Sequence, residues 1–249
     1  MLPNLSLLFS GYPGIDLSYN SLEGPILPVP DNTTSLILSK NNFSRTIPAR
    51  IGDSLSELAI LSLRSNKFHG SFPVQLCNLG KVQVLNFSQN HLSGSIPKCL
   101  DNLTMMAQKE SSNAFITYSI PFSLTSDMGC GEANFQDNAW LVWKGIESEY
   151  KSTLGLVKSI VFSSNNLSGE IPKEITNLIG LISLNLSRNN LTGKIPPKIG
   201  QLNWLNSLDL SRNLLTGEIL ESFSQLNLLG VLNLSYNNLS GNIPLDNKL

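Results

Sequence analysis

The sequence predicts an α/β-type solenoid, and three observations lead to this prediction. A motif of the form L-x-L-x-x-N, with other apolar residues at times in the leucine places, occurs eight times in the 249 residues. Most copies follow one another at about 24 residues, a period typical of solenoids. One gap of 75 residues separates two of the copies, so an insertion interrupts the repeat.

The start of each motif predicts a short β-strand. Leu184 and Leu186 alternate with Asn185, so the leucines would point into the coil and the asparagine would face outward. The strands of successive coils would stack as a parallel sheet on the concave face of a superhelix. The convex side would be formed by 3-10 helix or irregular backbone.

Each motif ends in an asparagine whose amide can both donate and accept hydrogen bonds. Such an amide can pair with loop backbone groups that would otherwise be unsatisfied inside the solenoid. The sequence therefore predicts a structural asparagine ladder. Its members are Asn20, Asn41, Asn66, Asn90, Asn165, Asn189, Asn213 and Asn237.

Glycine follows the ladder asparagine by four residues in most copies, as in Gly70 and Gly193. Glycine there permits turn geometry that a side chain would penalise. The Ile-Pro that comes next favours an extended backbone on the following side of the coil. Arg45 stands in the glycine place in one copy, which marks a weak point of the repeat.

The insertion divides the chain into three parts. Repeats fill residues 1–103, a non-repeat island fills residues 104–152, and four further repeats fill residues 153–249. The island contains seven of the 18 aromatic residues, among them Trp140 and Trp143. Aromatic rings can anchor a small insertion or form a recognition surface, and both interpretations remain open. Alternation along a strand places the two tryptophans on opposite faces.

Composition excludes several classes of function. A net charge of −1 with 14% charged residues gives no basic surface for nucleic acid. The chain contains no phosphate-binding glycine loop and no Gly-x-Ser-x-Gly or His-Glu-x-x-His motif, so we expect neither enzymatic activity nor a cofactor. His69 and His91 lack a second metal ligand close in sequence and are interpreted as solvated turn residues, so no metal site is expected.

Two features fit a secreted product. Cys77 and Cys99 lie near the same point of neighbouring repeats and are expected to form a disulfide, which leaves Cys130 without an assigned partner. Ten N-x-Ser/Thr sequons are candidates for glycosylation, although a repeat rich in Asn-Leu-Ser creates sequons by itself. They are Asn4, Asn32, Asn42, Asn86, Asn102, Asn166, Asn185, Asn190, Asn233 and Asn238.

The repeat L-x-x-L-x-L-S-x-N-x-L-S/T-G-x-I-P resembles the plant-specific extracellular leucine-rich repeat. The island, placed just before the last four repeats, resembles that of plant leucine-rich-repeat receptor-like proteins. The resemblance includes Lys144-Gly145 and Tyr150, with Phe135 where the family usually has tyrosine.

The resemblance implies a cell-surface receptor without a kinase, acting in defence or development at the plasma membrane. It would bind a peptide or protein ligand, associate with an adaptor receptor kinase and recruit a co-receptor kinase. No signal peptide, terminal cap or membrane helix is recognisable, so the chain is expected to be part of a longer protein whose C-terminal helix would provide the membrane contact.

Candidate binding residues follow from the repeat phase and from the resemblance. Arg188, Arg212 and Tyr236 precede three successive ladder asparagines, and Asp209 lies mid-strand between the arginines. This polar patch would contact a co-receptor, or the arginines would simply pair with Asp209. In the island, Lys144 and Tyr150 would orient the segment, and Trp140 or Trp143 would contact ligand or co-receptor.

Two other functions are found with the same repeat. The ectodomain of a receptor kinase can also contain an island, and a kinase domain in the parent gene would distinguish it from a receptor-like protein. A secreted inhibitor of microbial wall-degrading enzymes uses the same repeat but lacks an island.

Overall fold

The computed structural model describes residues 14–109, 117–123, 130–136, 139–143, 146–150 and 157–242. Side chains are described for residues 14–109 and 157–242, which contain the eight repeats. Asn4 lies outside the described residues, as do Lys144 and Gly145.

An eight-stranded parallel sheet, here called the inner sheet, takes one three-residue strand from each repeat in chain order. This arrangement confirms the predicted solenoid. The fourth and fifth strands pair directly across the insertion, with Leu85 opposite Ile160. The strands are Gly14–Asp16, Ser35–Ile37, Ile60–Ser62, Val84–Asn86, Ser159–Val161, Ser183–Asn185, Ser207–Asp209 and Val231–Asn233.

A second parallel sheet, which the sequence pattern did not predict, forms after the ladder asparagines. Six of its strands form one sheet and the last two pair with each other. A bridge between Lys194 and Thr216 links the two groups. The strands are Glu23–Gly24, Asn42–Arg45, Lys67–Gly70, His91–Gly94, Asn166–Glu170, Asn190–Thr192, Thr216–Glu218 and Asn238–Ser240.

Short helices complete the second to seventh coils, after the Ile-Pro segment or its equivalent. Because proline fixes φ and lacks an N–H, it suits the residue just before or at a helix start. The 3-10 helices are Val74–Asn78, Lys98–Asn102, Lys173–Asn177, Pro197–Gln201 and Glu221–Gln225, and the α-helices are Arg50–Ser54 and Thr104–Ala107. A disulfide joins Cys77 to Cys99 on successive 3-10 helices, with a Cα–Cα distance of 5.7 Å.

The hydrophobic core runs along the axis of the solenoid and crosses the insertion without a break. Leu184, Leu186 and their counterparts in the second to seventh coils are fully buried, as expected for inward positions, whereas Leu232 in the last coil is 43% exposed. Phe87 and Phe162 stack with ring centroids 5.5 Å apart, and Phe72 lies 4.7 Å from Phe162. These three rings join the coils on either side of the insertion.

The backbone at Arg45 has φ 84°, a left-handed conformation that glycine adopts in most other coils. A side chain in this region costs about 1–2 kcal/mol.

We expect Arg45→Gly to raise the free energy of unfolding by about 1 kcal/mol. The gain is smaller than the full relief of strain, because glycine also increases the entropy of the unfolded chain. Chemical denaturation measures this change. Gly70→Ala is the matched control. It should lower the free energy of unfolding, because the added Cβ would lie 2.9 Å from Thr46 Cγ2. A lower free energy of unfolding in Arg45→Gly would contradict the expectation.

Between the two groups of repeats the backbone forms two antiparallel pairs. Thr117–Ser123 pairs with Cys130–Gln136, and Ala139–Trp143 pairs with Ile146–Tyr150. The packing of the solenoid continues beyond residue 103 into the helix Thr104–Ala107, where Met106 is fully buried. This helix falls within the range predicted for the island.

Candidate functional site

The ladder asparagines hold neighbouring coils together through both ends of the amide. Asn189 Oδ1 accepts from the backbone N–H of Leu167 at 3.0 Å. Its Nδ2 lies within hydrogen-bond distance of the carbonyl oxygens of Phe162, Leu186 and Ser187, at 3.0, 3.1 and 3.2 Å. Asn41, Asn66, Asn90, Asn165, Asn213 and Asn237 repeat this arrangement of contacts within their own and the preceding coil.

Three exposed side chains follow the ends of the last three inner strands, and we call them the arginine–tyrosine column: Arg188, Arg212 and Tyr236. Each has φ 55°. The guanidinium carbon of Arg212 lies 4.2 Å from the centre of the Tyr236 ring, a cation–π contact. Tyr236 is nevertheless 70% exposed, so the contact leaves most of the ring accessible.

The backbone does not determine which residue occupies the column. The residue before the ladder asparagine has φ near 55° in all eight coils, and it is serine or glutamine in three of them. Glycine or asparagine would adopt this conformation with less strain than arginine or tyrosine. The large side chains of the column are therefore not explained by the fold.

Asp209 lies beside the column but does not neutralise it. Its Oδ1 accepts from the backbone N–H of Ser211 at 3.0 Å. Within residues 157–242, no ion pair joins Asp209 to Arg188 or to Arg212. The alternative in which both arginines pair with Asp209 is thus not what the structure shows, because Arg212 lies over an aromatic ring and the Asp209 carboxylate caps the end of its own strand.

Accessibility differs along the outward face of the inner sheet. The outward side chains at the strand ends are buried in the second to fifth strands, at Ile37, Ser62, Asn86 and Val161. They are partly exposed in the last three, at Asn185, Asp209 and Asn233. Polar inner surface close to the column is therefore accessible in the last three coils.

Of the candidate residues of the island, Trp140, Trp143 and Tyr150 are described only in their backbone, and Lys144 lies outside the described residues. Trp140 pairs with Glu149, and Trp143 pairs with Ile146. Tyr150 pairs with Ala139, while Phe135 pairs with Tyr118 in the other hairpin. Both tryptophans and Tyr150 therefore lie in one two-stranded sheet.

The sequence reasoning missed a buried lysine where the repeats resume after the insertion. Lys158 is only 2% exposed, and its Nζ donates to the carbonyl oxygen of Gln108 at 2.7 Å. Gly180 N donates to the carbonyl oxygen of Met106 at 3.0 Å. Burial lowers the pKa of Lys158. These contacts hold the two ends of the insertion on the same coil.

The structure gives less support to a metal site or to a membrane-spanning helix. His69 and His91 are both exposed and lie opposite each other in the second sheet. Over the described ranges, no three His, Cys, Asp or Glu side chains come together as metal ligands. No helix in the described part of the chain combines the length and hydropathy needed to cross a membrane.

Comparison with known proteins agrees with this geometry. The leucine-rich-repeat family model matches residues 81–103, 157–178, 180–202, 204–226 and 229–247. The tomato (Solanum lycopersicum) receptor-like protein EIX2 is 47% identical over 149 residues, which is 60% of this chain and 14% of EIX2. Receptor-like protein 34 of Arabidopsis thaliana is 35% identical over 193 residues, which is 72% of this chain and 18% of that protein.

The chain is a leucine-rich-repeat protein, and the curated proteins that it resembles are plant receptor-like proteins. It spans less than a fifth of the length of the two curated relatives.

Solved structures of plant receptors have the same fold. That of the Arabidopsis receptor kinase HAESA, in complex with the peptide hormone IDA and the co-receptor SERK1, has a TM-score of 0.67 and 29% identity. The match covers 94% of this chain and 31% of HAESA. The leucine-rich-repeat ectodomain of GASSHO1/SCHENGEN3, bound to CASPARIAN STRIP INTEGRITY FACTOR 2, has a TM-score of 0.61 and 30% identity, covering 91% and 24% of the two chains.

Proposed function

We propose that this chain forms the ligand-recognition and co-receptor-binding part of a plant cell-surface receptor-like protein in defence or developmental signalling. It acts on the extracellular side of the plasma membrane and has no enzymatic activity. A peptide or protein ligand and a co-receptor kinase bind to it, and an adaptor receptor kinase associates with the protein.

The arginine–tyrosine column is the observation that carries this proposal. Three large, exposed side chains occupy equivalent positions on the last three coils, where the fold requires none of them. Arginine and tyrosine are enriched among the residues that contribute most to protein–protein binding. Asp209, partly exposed beside them, supplies an acceptor that a partner can use for orientation.

The complex of HAESA with both a peptide hormone and SERK1 shows that a related solenoid can engage two partners at once. Each coil adds one equivalent position at a spacing of about 4.8 Å. The column therefore presents a row of two cations and a ring over roughly 10 Å.

Replacing Arg188, Arg212 and Tyr236 together by alanine tests co-receptor binding. We expect co-precipitation of the co-receptor kinase from plant cells to fall at least tenfold, because two or three anchors of about 1–2 kcal/mol are lost. The double variant Lys173→Ala/Lys198→Ala is the matched control, since both lysines are exposed on 3-10 helices away from the column. Unchanged co-precipitation by the triple variant, with normal secretion, would exclude the column.

The island is proposed as the second contact of the receptor. Lys144 and Tyr150 orient it, and Trp140 or Trp143 contacts ligand or co-receptor. We expect deletion of residues 110–156 to abolish ligand-triggered complex formation without preventing secretion, because Val84–Asn86 and Ser159–Val161 already pair directly. A full ligand response after this deletion would show that the island is dispensable.

Two alternatives are compatible with the same fold. A receptor-kinase ectodomain is favoured by the likeness to HAESA, and detection of a kinase domain in the same polypeptide would establish it. A secreted inhibitor of wall-degrading enzymes is less well supported, because residues 110–156 have no place in a regular repeat.

A further inference from the structure

Seven of the ten sequons of this chain occupy two distinct structural positions. Three of them begin at the last residue of an inner strand, at Asn86, Asn185 and Asn233. Four others begin at the first residue of a strand of the second sheet, and one of these, Asn42, is only partly exposed. We call the three exposed ones the lateral sequons: Asn166, Asn190 and Asn238. Both groups share the same sequon, as in Asn-Leu-Ser at Asn185 and at Asn166, so the sequon itself does not separate them.

The inner-strand sequons have a structural role of their own. Asn86 Oδ1 accepts from the hydroxyl of Ser88 at 2.7 Å and lies 3.2 Å from its backbone N–H. Asn185 and Asn233 make the same pair of contacts two residues ahead. This Asx turn ends the strand just before the left-handed residue of the coil. Asp209 replaces asparagine in one coil and still accepts from the backbone N–H two residues ahead.

Asn86 has no room for a glycan. The residue is 0% exposed, and its Nδ2 is buried without a hydrogen-bond partner. N-glycosylation forms a covalent bond from this nitrogen to a sugar, which would have to occupy space already filled by protein atoms. In a folded chain that carried a sugar at Asn86, the atoms that bury this side chain would have to move.

The lateral sequons have the opposite properties. Asn166, Asn190 and Asn238 are exposed, and in the described part of the chain their side chains make no hydrogen bond. The leucine that follows each asparagine points toward the core, so the serine or threonine two residues ahead returns to the surface. A glycan attached there would extend into solvent without displacing any contact.

We propose that the protein carries N-glycans at the lateral sequons and none at Asn86. This rests on the proposed extracellular function, because N-glycans are added only in the secretory pathway. Two lateral sequons lie two residues beyond a member of the arginine–tyrosine column, Asn190 beyond Arg188 and Asn238 beyond Tyr236. The glycans stand along one border of the column, so a partner reaches it from across the inner sheet.

Site occupancy can be measured on protein secreted from plant cells. Release of glycans by peptide:N-glycosidase A in H₂¹⁸O marks each occupied asparagine as a labelled aspartate, which peptide mass spectrometry identifies. We expect label at Asn166, Asn190 and Asn238 and less than a tenth of that occupancy at Asn86. Asn190→Gln should remove one glycan and leave the yield of secreted protein unchanged.

Comparable occupancy at Asn86 would overturn the inference while leaving the proposed extracellular location intact. Lateral sequons without label in a secreted protein that is glycosylated elsewhere would overturn it equally. If no sequon is labelled and the protein stays inside the cell, the proposed location fails first and the inference fails with it. Ser88→Ala removes the sequon at Asn86, and an unchanged glycan count in this variant provides a second, independent test.

Discussion

Phe162→Ala is expected to destabilise the solenoid by about 3–5 kcal/mol, the largest loss that we predict for a single substitution in this chain. Phe162 is 1% exposed and contacts both Phe72 and Phe87, so alanine would leave a cavity that these rings cannot fill. The cavity would lie between the coils on either side of the insertion. The chain that connects these two coils runs through the insertion, so they depend on packing to stay together. Chemical denaturation followed by circular dichroism measures the loss.

Phe162→Leu tests whether the buried volume or the aromatic ring itself stabilises this part of the core. Leucine retains most of the buried volume, so we expect a cost of about 1–2 kcal/mol. If alanine cost less than about 1 kcal/mol, the coils would not depend on each other at this point. The coils on the two sides of the insertion would then not share one continuous core.

Asn189→Ala is expected to cost about 3 kcal/mol. The substitution leaves the Leu167 N–H without its partner in a buried site. It also removes the contacts from Asn189 to the carbonyl oxygens of Phe162 and Leu186, which keep contacts from the neighbouring ladder asparagines at 3.2 and 3.0 Å. Each unsatisfied buried group costs about 1–3 kcal/mol, although water entering the space offsets part of this. The free energy of unfolding and the amide exchange rate of Leu167 both report the effect.

Asn203→Ala is the matched control for the ladder. Asn203 is exposed, and among the described residues its side chain makes no hydrogen bond. We therefore expect a change within about 0.5 kcal/mol. If Asn189→Ala and Asn203→Ala changed the free energy of unfolding equally, the ladder hydrogen bonds would add no stability of their own. Asparagine would then matter in this repeat only for its helix or turn propensity.

The solenoid and its inner sheet were predictable because their signals are local and repeated. Leu184 and Leu186 alternate with Asn185, and the same pattern returns every 24 residues. A pattern of period two within a longer period has few structural interpretations.

The second sheet was not predictable from the same signals. Its strands, such as Asn190–Thr192, are short and polar, and a single inward leucine is too little alternation to indicate a strand. They pair because the inner sheet and the ladder set the distance between coils, so the cause lies in the stacking and not in the strands themselves. Extended backbone before Ile-Pro was the only local indication.

The site was predictable in part. Repeat phase identified Arg188, Arg212 and Tyr236 as equivalent positions, but not the contact between Arg212 and the Tyr236 ring. An ion pair with Asp209 was equally plausible from spacing, since side-chain direction depends on the left-handed backbone after the strand. Lys158 could not be recognised, because its partner Gln108 is 50 residues away across the insertion.

Photo-crosslinking from the column tests most directly the claim that the last coils bind a co-receptor. A benzophenone amino acid is introduced at Tyr236, 70% exposed, or at the control position Val74, 62% exposed on a 3-10 helix. In plant cells that co-express the co-receptor kinase, we predict a covalent receptor–co-receptor adduct from position 236 and at most a tenth as much from position 74. Equal adduct from both positions, or none from position 236, would contradict the claim.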